Sequence, residues 1–310
     1  MISVVIAARD AAATIERTLE SLARQDTGEP YEVIVVDDAS ADGTSALAEA
    51  AGAKVIRHDW AQGPGAARDA GVAAAEGDVI AFTDSDCFPS PGWLAHGRRA
   101  LGSATLIQGR VTPDPDAPMG PFDRSLWVER ETGLYETANL FVTRAAFDAV
   151  GGFEVWLEPE IGKPMAEDVW LGWRVRRDGG RTAFCPEAQV HHAVFERGPA
   201  GFLAERRRLR YFPAIARKVP ELRELLFYRR VFLNRRSAAF DLALVGAAVA
   251  ARRRSPLPLA AALPYVKLAV DEALPWGRRA PLVAIVRGLA DVVGFLELVR
   301  GSGRERSPLL

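Results

Sequence analysis

Short β-branched runs alternate with helical segments through residues 3–86, and this rhythm constrains the fold more than any other feature. Ser3-Val4-Val5-Ile6-Ala7-Ala8 reads as a strand buried on both faces. Thr14 stands at an N-cap position, ahead of Ile15, Leu19 and Leu22 at helical spacing. Glu32-Val33-Ile34-Val35-Val36 is a second strand, stopped by Asp37-Asp38. Turn chemistry at Asp42-Gly43-Thr44 leads into a helix from Ala46 to Ala51. Lys54-Val55-Ile56, an Ala-rich helix from Ala66 to Ala75, and Val79-Ile80-Ala81-Phe82 complete the series. Such alternation predicts a parallel sheet with helices on both faces. Ligands of these sheets bind beyond the carboxyl ends of the strands. Arg9-Asp10, Asp37-Asp38 and Asp84-Ser85-Asp86 all follow strands, so they are expected to converge on one crevice.

The last of these carries the sharpest chemistry. Two carboxylates two residues apart at a strand's end offer hard oxygen ligands for Mg²⁺ or Mn²⁺, which commonly hold substrate phosphates as well. A strand-end turn is the ordinary alternative for an isolated acidic pair.

Charge divides the chain in two. Residues 1–200 hold 18 Lys+Arg against 31 Asp+Glu, a balance of −13, and residues 201–310 hold 21 against 9, a balance of +12. An acidic half followed by a basic half implies two surfaces with different partners. Cys87 and Cys185 have neither disulfide framework nor metal-ligand spacing, and read as small buried hydrophobes. The chain opens directly on a strand without basic leader or apolar signal core, which predicts a cytoplasmic body.

Taken in order, several segments resemble the family 2 glycosyltransferases. They are Ser3 to Asp10, Val35-Val36-Asp37-Asp38-Ala39-Ser40-Ala41-Asp42-Gly43-Thr44, Gly63-Pro64-Gly65-Ala66-Ala67-Arg68-Asp69, Gly151-Gly152-Phe153-Glu154, and Glu167-Asp168-Val169-Trp170-Leu171-Gly172-Trp173-Arg174. Arg9-Asp10 stands where many members have an aromatic-Asn pair, and Asp69 where Asn is usual. The resemblance implies an α/β GT-A fold, a mostly parallel sheet flanked by helices, with a C-terminal helical extension. It implies a catalytic domain over residues 1–215 and a basic, apolar helical region over 216–310.

The resemblance also implies roles. The implied reaction is metal-dependent, inverting transfer of a sugar from a nucleotide-diphosphate donor to an acceptor hydroxyl. Asp86 is the expected metal ligand, with Asp84 on the ribose or in the metal shell. Asp38, with Asp37 beside it, is expected on the base or ribose; an Asx-turn is the other reading. Ala8 and Arg9 close the first strand on the donor side. Arg68 lies near a helix N-terminus, suited to donor phosphate or ribose, or to a salt bridge with Asp69 or Asp84. Asp168 is the expected base and Glu167 orients the acceptor, although acidic residues also complement a helix dipole. Asn139 and Trp170 fall on the acceptor side, with a turn or edge role open for Asn139. His191 and His192 are candidate metal ligands or structural histidines. Arg207 and Arg210, in Arg206-Arg207-Arg208-Leu209-Arg210-Tyr211, either close over the diphosphate or lie on a solvated helix face.

Beyond about residue 230 the chain is apolar but interrupted. Ala238 to Ala251 ends in Arg252-Arg253-Arg254, and no run reaches the roughly 20 apolar residues of a spanning helix. Apolar helices flanked by arginines suggest segments lying on an anionic membrane, on the inner face, with a glycan or lipid-linked acceptor; a helical subdomain is the alternative. Nucleic acid is not expected as a partner, because arginines interleave with apolar helix and not with stacking aromatics. Competing enzyme and non-enzyme readings are a sugar nucleotidyltransferase and a catalytically silent nucleotide-sugar binding protein. The former usually opens on a Gly-rich phosphate loop, which Ile6 to Ala11 is not.

Overall fold

A computed structural model describes residues 1–160 and 164–310. They form two compact units, Met1–Pro118 with Ser125–Phe195, and Met119–Arg124 with Glu196–Leu310.

The first unit is an α/β layer structure. Its elements are β1 (Ile2–Ala8), α1 (Ile15–Ala23), β2 (Tyr31–Asp37), α2 (Thr44–Ala50), β3 (Lys54–Arg57), α3 (Pro64–Ala73), β4 (Val79–Asp84), β5 (Cys87–Pro89), α4 (Trp93–Leu101), β6 (Leu106–Pro113), β7 (Asn139–Thr143), α5 (Arg144–Ala149), α6 (Glu167–Arg177) and β8 (Thr182–His192). One sheet runs in the order β3-β2-β1-β4-β7-β6-β8-β5. The half read from alternation, β3-β2-β1-β4, is parallel throughout. Beyond β4 the pairing turns mixed, with β7 antiparallel to both β4 and β6, and β6 parallel to β8.

β1 is central, and both its faces are apolar for that reason. Ile2, Val4 and Ile6 join the core beneath α1, while Ala7 packs with Ile34, Val36 and Ala67 on the other face. There α3 lies close enough that a Cβ on Gly71 would sit 2.4 Å from Val5 Cγ1. Register levels the strand ends, with Ala8 opposite Asp37 and Ala7 opposite Asp84. Pro64 begins α3, where its missing N–H costs nothing. Thr14 does precede α1, but its hydroxyl caps nothing and turns back to Ala11 O at 3.4 Å.

The second unit is helical: α7 (Pro199–Glu205), a 3₁₀ segment (Arg206–Tyr211), α8 (Phe212–Lys218), α9 (Leu222–Leu225), α10 (Arg235–Arg253), α11 (Leu263–Ala273) and α12 (Ala280–Glu305). Phe122 belongs here because it packs with Ala273, Val283 and Val286. A reciprocal Asn234–Ser237 capping box starts α10. Buried Val283, Val286, Ala290 and Leu298 mark the inner face of α12. Leu282, Ile285, Leu289, Val292, Leu296 and Val299 form an exposed apolar stripe on the same helix at spacings of three and four. Among the described residues no helix is long and apolar enough to cross a membrane.

One local knot joins three of the sequence motifs. Gly151 and Gly152 have φ of 76° and 71°, a left-handed path that brings the Phe153 N–H to Asp69 Oδ1 at 2.9 Å. A Cβ on Gly152 would lie 2.6 Å from that same oxygen. Phe153 then packs edge-on against Phe82 and Phe147 and faces the Arg68 guanidinium at 5.7 Å. Arg174 clasps the turn by donating to Val150 O and Gly152 O.

Burial raises the Asp69 carboxyl to about 6, against the Phe153 N–H and the charges of Arg174 and Arg68. The folded state therefore holds a proton that the unfolded chain releases near the ordinary carboxylate range. Stability attached to this group falls as pH rises from about 4 through about 6. Asp69→Asn keeps the acceptor oxygen and removes the titration. It should raise the melting temperature by about 2 °C at pH 8 and leave it unchanged at pH 4, read by thermal melts at both pH values.

Candidate active site

The end of β2 is tied down by its own acids. Asp37 is fully buried; it accepts from Ser40 N at 2.8 Å and from Ser45 Oγ and Arg57 Nη1. Burial raises its carboxyl, but the bonds from Ser40 and Ser45 and the charge of Arg57 outweigh that and hold it below the ordinary range. The Asx-turn reading therefore describes Asp37, which has no surface to offer a nucleotide. Asp38 accepts from Gln62 N and Gly63 N, each at 2.8 Å, and meets His58 Nδ1 at 2.9 Å. It orders the loop that starts α3. Burial is again the largest influence and again is outweighed, so this carboxyl too is lowered. Ala8 is buried and its carbonyl accepts from Asp38 N at 2.8 Å, so it shapes the loop through its backbone. Arg9 is half exposed beside Asp10.

Arg68 joins the strand ends to the acceptor-side helix. Its side chain is buried on α3; Nη2 donates to Asp84 Oδ1 at 2.8 Å, and Nη1 lies 3.8 Å from Glu167 Oε1. Its Nε is sealed from solvent with no hydrogen-bond partner among the described residues. Residues 68, 84 and 167 thus meet around one guanidinium. Ala166, at φ 62°, turns the chain sharply into α6, and Glu167 and Asp168 form its first turn. Asp168 Oδ1 accepts from the adjacent Val169 N at 2.8 Å. A helix N-terminus favours an anion, yet the Asp168 carboxyl is pushed well above its ordinary range, first by burial and then by Glu167 and Glu136.

Across the end of β4, Asp86 and His192 come together. His192 Nε2 lies 3.6 Å from Asp86 Oδ1, and its Nδ1 is 2.7 Å from Ala193 O. A carbonyl only accepts, so Nδ1 carries a hydrogen and Nε2 is the nitrogen turned toward Asp86. That is the arrangement of a metal-binding histidine fixed through its second nitrogen. Donor atoms of Asp86, Cys87 and His192 lie within 4.8 Å of one another. A carboxylate and an imidazole suit Mn²⁺ or Mg²⁺ better than a sulfur does. Burial, with Asp84 and Asp86, raises the Cys87 thiol well above its ordinary range, so sulfur is the poorest of the three ligands.

His191 is a correction among the expected ligands. Neighbouring residues of a strand face opposite ways, and His191 Nδ1 meets Thr112 Oγ1 at 3.1 Å, not the Asp86 group. Asn139 is a second correction. It is fully buried, donating from Nδ2 to Arg110 O at 2.8 Å and Ala188 O at 2.7 Å and accepting from Trp93 Nε1 at 2.8 Å. An acceptor contact is closed to a side chain so consumed. Its two carbonyl partners flank the register shift between β6 and β8, where Gly109 pairs with Cys185 and Arg110 with Gln189. Asn139 therefore pins the bulge that delivers His192.

Trp170 lies on α6, donating to Glu154 Oε2 at 2.9 Å. Arg207 and Arg210 belong to the second unit; Arg207 is exposed and Arg210 Nε donates to Glu297 Oε2 at 2.7 Å. Two participants were not anticipated. Cys87 is adjacent to the Asp-x-Asp, but its nearness to His192 depends on β5–β8 pairing that no local pattern signals. Burial raises Glu136 to about 7, and its Oε2 has no hydrogen-bond partner among the described residues. No motif marks it.

The chain is similar to known glycosyltransferases in sequence and in fold. Residues 3–149 match the family model described as Glycosyl transferase family 2. A pre-mycofactocin glycosyltransferase of Mycobacterium tuberculosis is 31% identical over 210 residues, 62% of this chain and 42% of the relative. The chain thus spans less than half the length of that relative. The succinoglycan biosynthesis protein ExoO of Rhizobium meliloti is 47% identical over 116 residues, 36% of this chain and 32% of the relative. Among solved structures, the mannosyltransferase PcManGT of Pyrobaculum calidifontis, in complex with GDP-Man and Mn²⁺, superposes with a TM-score of 0.58 at 17% identity, covering 98% of this chain and 86% of its own. S. aureus TarS 1–349 in complex with UDP-GlcNAc gives 0.53 at 18% identity, covering 99% and 92%. Sequence match and fold agree: residues 3–149 match the glycosyl transferase family 2 model, and the chain has the GT-A fold.

Proposed function

We propose that the chain is a metal-dependent, inverting glycosyltransferase that moves a sugar from a nucleotide-diphosphate donor to an acceptor hydroxyl. The observation that carries this reading is the Arg68 bridge. One buried cation joins Asp84, beside the Asp86–His192 pair, to Glu167, beside Asp168. A leaving group and an attacking group need such neighbouring stations.

Donor binding is assigned to the loop ordered by Asp38, with Arg9 at its rim and Asp84 and Arg68 facing ribose and phosphate. Asp86 and His192 are the residues that would hold Mn²⁺ or Mg²⁺, which supplies Lewis-acid stabilisation of the departing diphosphate. Asp168 takes the proton as the acceptor oxygen bonds to the anomeric carbon. The carbon–oxygen bond to the diphosphate breaks, and its electron pair leaves with the nucleotide. Attack opposite the leaving group inverts the centre. A raised carboxyl pKa is an advantage here, since a stronger base still ionised at working pH moves the proton more readily. Glu167 and Trp170 are assigned to acceptor orientation.

The second unit is assigned to an anionic membrane surface, on which a lipid-linked or envelope glycan acceptor would be presented. The α12 stripe, with Leu263, Val266 and Val270 exposed on α11, provides aliphatic surface. Arg252, Arg253, Arg278 and Arg279 flank these helices as cations for acidic headgroups.

Four outcomes test these assignments. Asp86→Ala should abolish Mn²⁺-dependent hydrolysis of whichever nucleotide sugar the parent turns over; equal turnover in both would remove Asp86 from the metal site. Asp168→Asn should leave donor affinity unchanged and lower transfer by about 10²–10⁴-fold. In the parent, kcat/KM should fall on acidification with an apparent pKa above the usual carboxylate range, and a limb near 4 would exclude Asp168 as the base. Sedimentation with phosphatidylglycerol vesicles should capture the protein in a salt-sensitive manner, and Ile285→Glu with Leu289→Glu should release it. Equal partition onto neutral vesicles contradicts the headgroup assignment.

A further inference from the structure

The second unit contains a cavity of about 220 Å³ that the proposed reaction does not use. Its walls combine a charged network with aromatic surface from Phe240 and Phe295. Most of the charge is internally matched. Arg236 donates to Asp291 through Nε and Nη2, at 3.0 Å and 2.6 Å, and to Glu272 through Nη1 at 2.8 Å. Arg287 Nη1 also reaches Glu272, at 2.7 Å, and Tyr265 Oη donates to Asp291 at 2.7 Å.

Two wall residues are left over. Arg206 has neither a hydrogen bond nor a carboxylate within ion-pair distance among the described residues; its one close partner is the Phe202 ring, 4.8 Å from the guanidinium carbon. Asp241 has one carboxyl oxygen sealed from solvent and unbonded among the described residues. Burial lowers the Arg206 guanidinium, and Arg197 and Arg236 add to this against Asp291 and Glu205. Burial alone raises Asp241 to about 6, so no nearby cation holds it ionised. A partly desolvated guanidinium whose nearest carboxylates lie beyond ion-pair distance is unfavourable, and it faces a cavity of ligand size.

The geometry points to an anion-binding site in the second unit, in which Arg206 takes a phosphate group and the aromatic wall covers an attached apolar body. Planar guanidinium donors match phosphate oxygens. Two sources share that chemistry, free phosphate and the headgroup of a phospholipid. Asp241 stands apart from the anion contact, so its loss removes negative charge from the wall without removing the ligand's partner.

The test is a melting-temperature titration of the whole chain with inorganic phosphate, and separately with dihexanoyl phosphatidic acid below its micelle concentration. At least one probe should raise the melting temperature saturably. A rise with phosphatidic acid alone identifies a lipid headgroup, and a rise with both identifies phosphate itself. Arg206→Gln should weaken the response about tenfold or more while melting no lower than the parent without anion. Asp241→Asn should keep or strengthen it. Should Arg206→Gln fold poorly, Arg206→Lys serves instead, with an intermediate affinity expected from a point charge. The inference is overturned if neither probe acts, if the Arg206 variant responds like the parent, or if Asp241→Asn loses the response equally.

Discussion

The buried guanidinium of Arg68 is the interaction on which the first unit's site depends. A charge there is stable only because carboxylates approach it from two sides, Asp84 from the sheet and Glu167 from α6. Everything around it serves that placement. The Gly63-Pro64 turn starts α3, close packing of Gly71 on Val5 presses the helix onto the sheet, and the Gly151-Gly152-Phe153 turn covers the guanidinium with a ring. Motifs separated by as much as a hundred residues are in this way parts of one electrostatic arrangement. Removing either carboxylate would leave buried positive charge without compensation.

Asp168 shows how sharply environment separates two adjacent acids. Glu167 sits beside Arg68, whereas Asp168 experiences burial and the negative charges of Glu167 and Glu136. Neighbours in sequence that both carry a carboxylate are thereby given different surroundings. Glu136 contributes although it is remote in sequence and belongs to no motif.

The parallel half of the sheet and its acidic strand ends were readable because both rest on local patterns. Continuous β-branched runs mark strands buried on two faces, and an acid at a run's end marks the crevice. What could not be read depends on pairing between distant segments. β7 and β6 extend the sheet with antiparallel neighbours, and the choice between His191 and His192 rests on the face each takes in β8. Asn139 illustrates the same limit from the other side. Its amide suggested substrate contact, but its hydrogen bonds run to two backbone carbonyls on either side of an irregularity in pairing. Asp37 and Asp38 differ for a related reason: only the fold reveals that Ser40, Ser45 and Arg57 absorb the first while the Gln62–Gly63 amides take the second.

The register shift has an evolutionary corollary. Pro186, Glu187 and Ala188 are extra on β8 relative to β6, and beyond them the strand resumes with alternating orientation. Because these three residues have no partners on β6, the face His192 takes is set by the pairing that follows them, Gln189 with Arg110 through His192 with Pro113. Changes of length inside the bulge are therefore tolerated while that pairing holds, whereas a one-residue slip of the resumed strand against β6 would carry His192 away from Asp86.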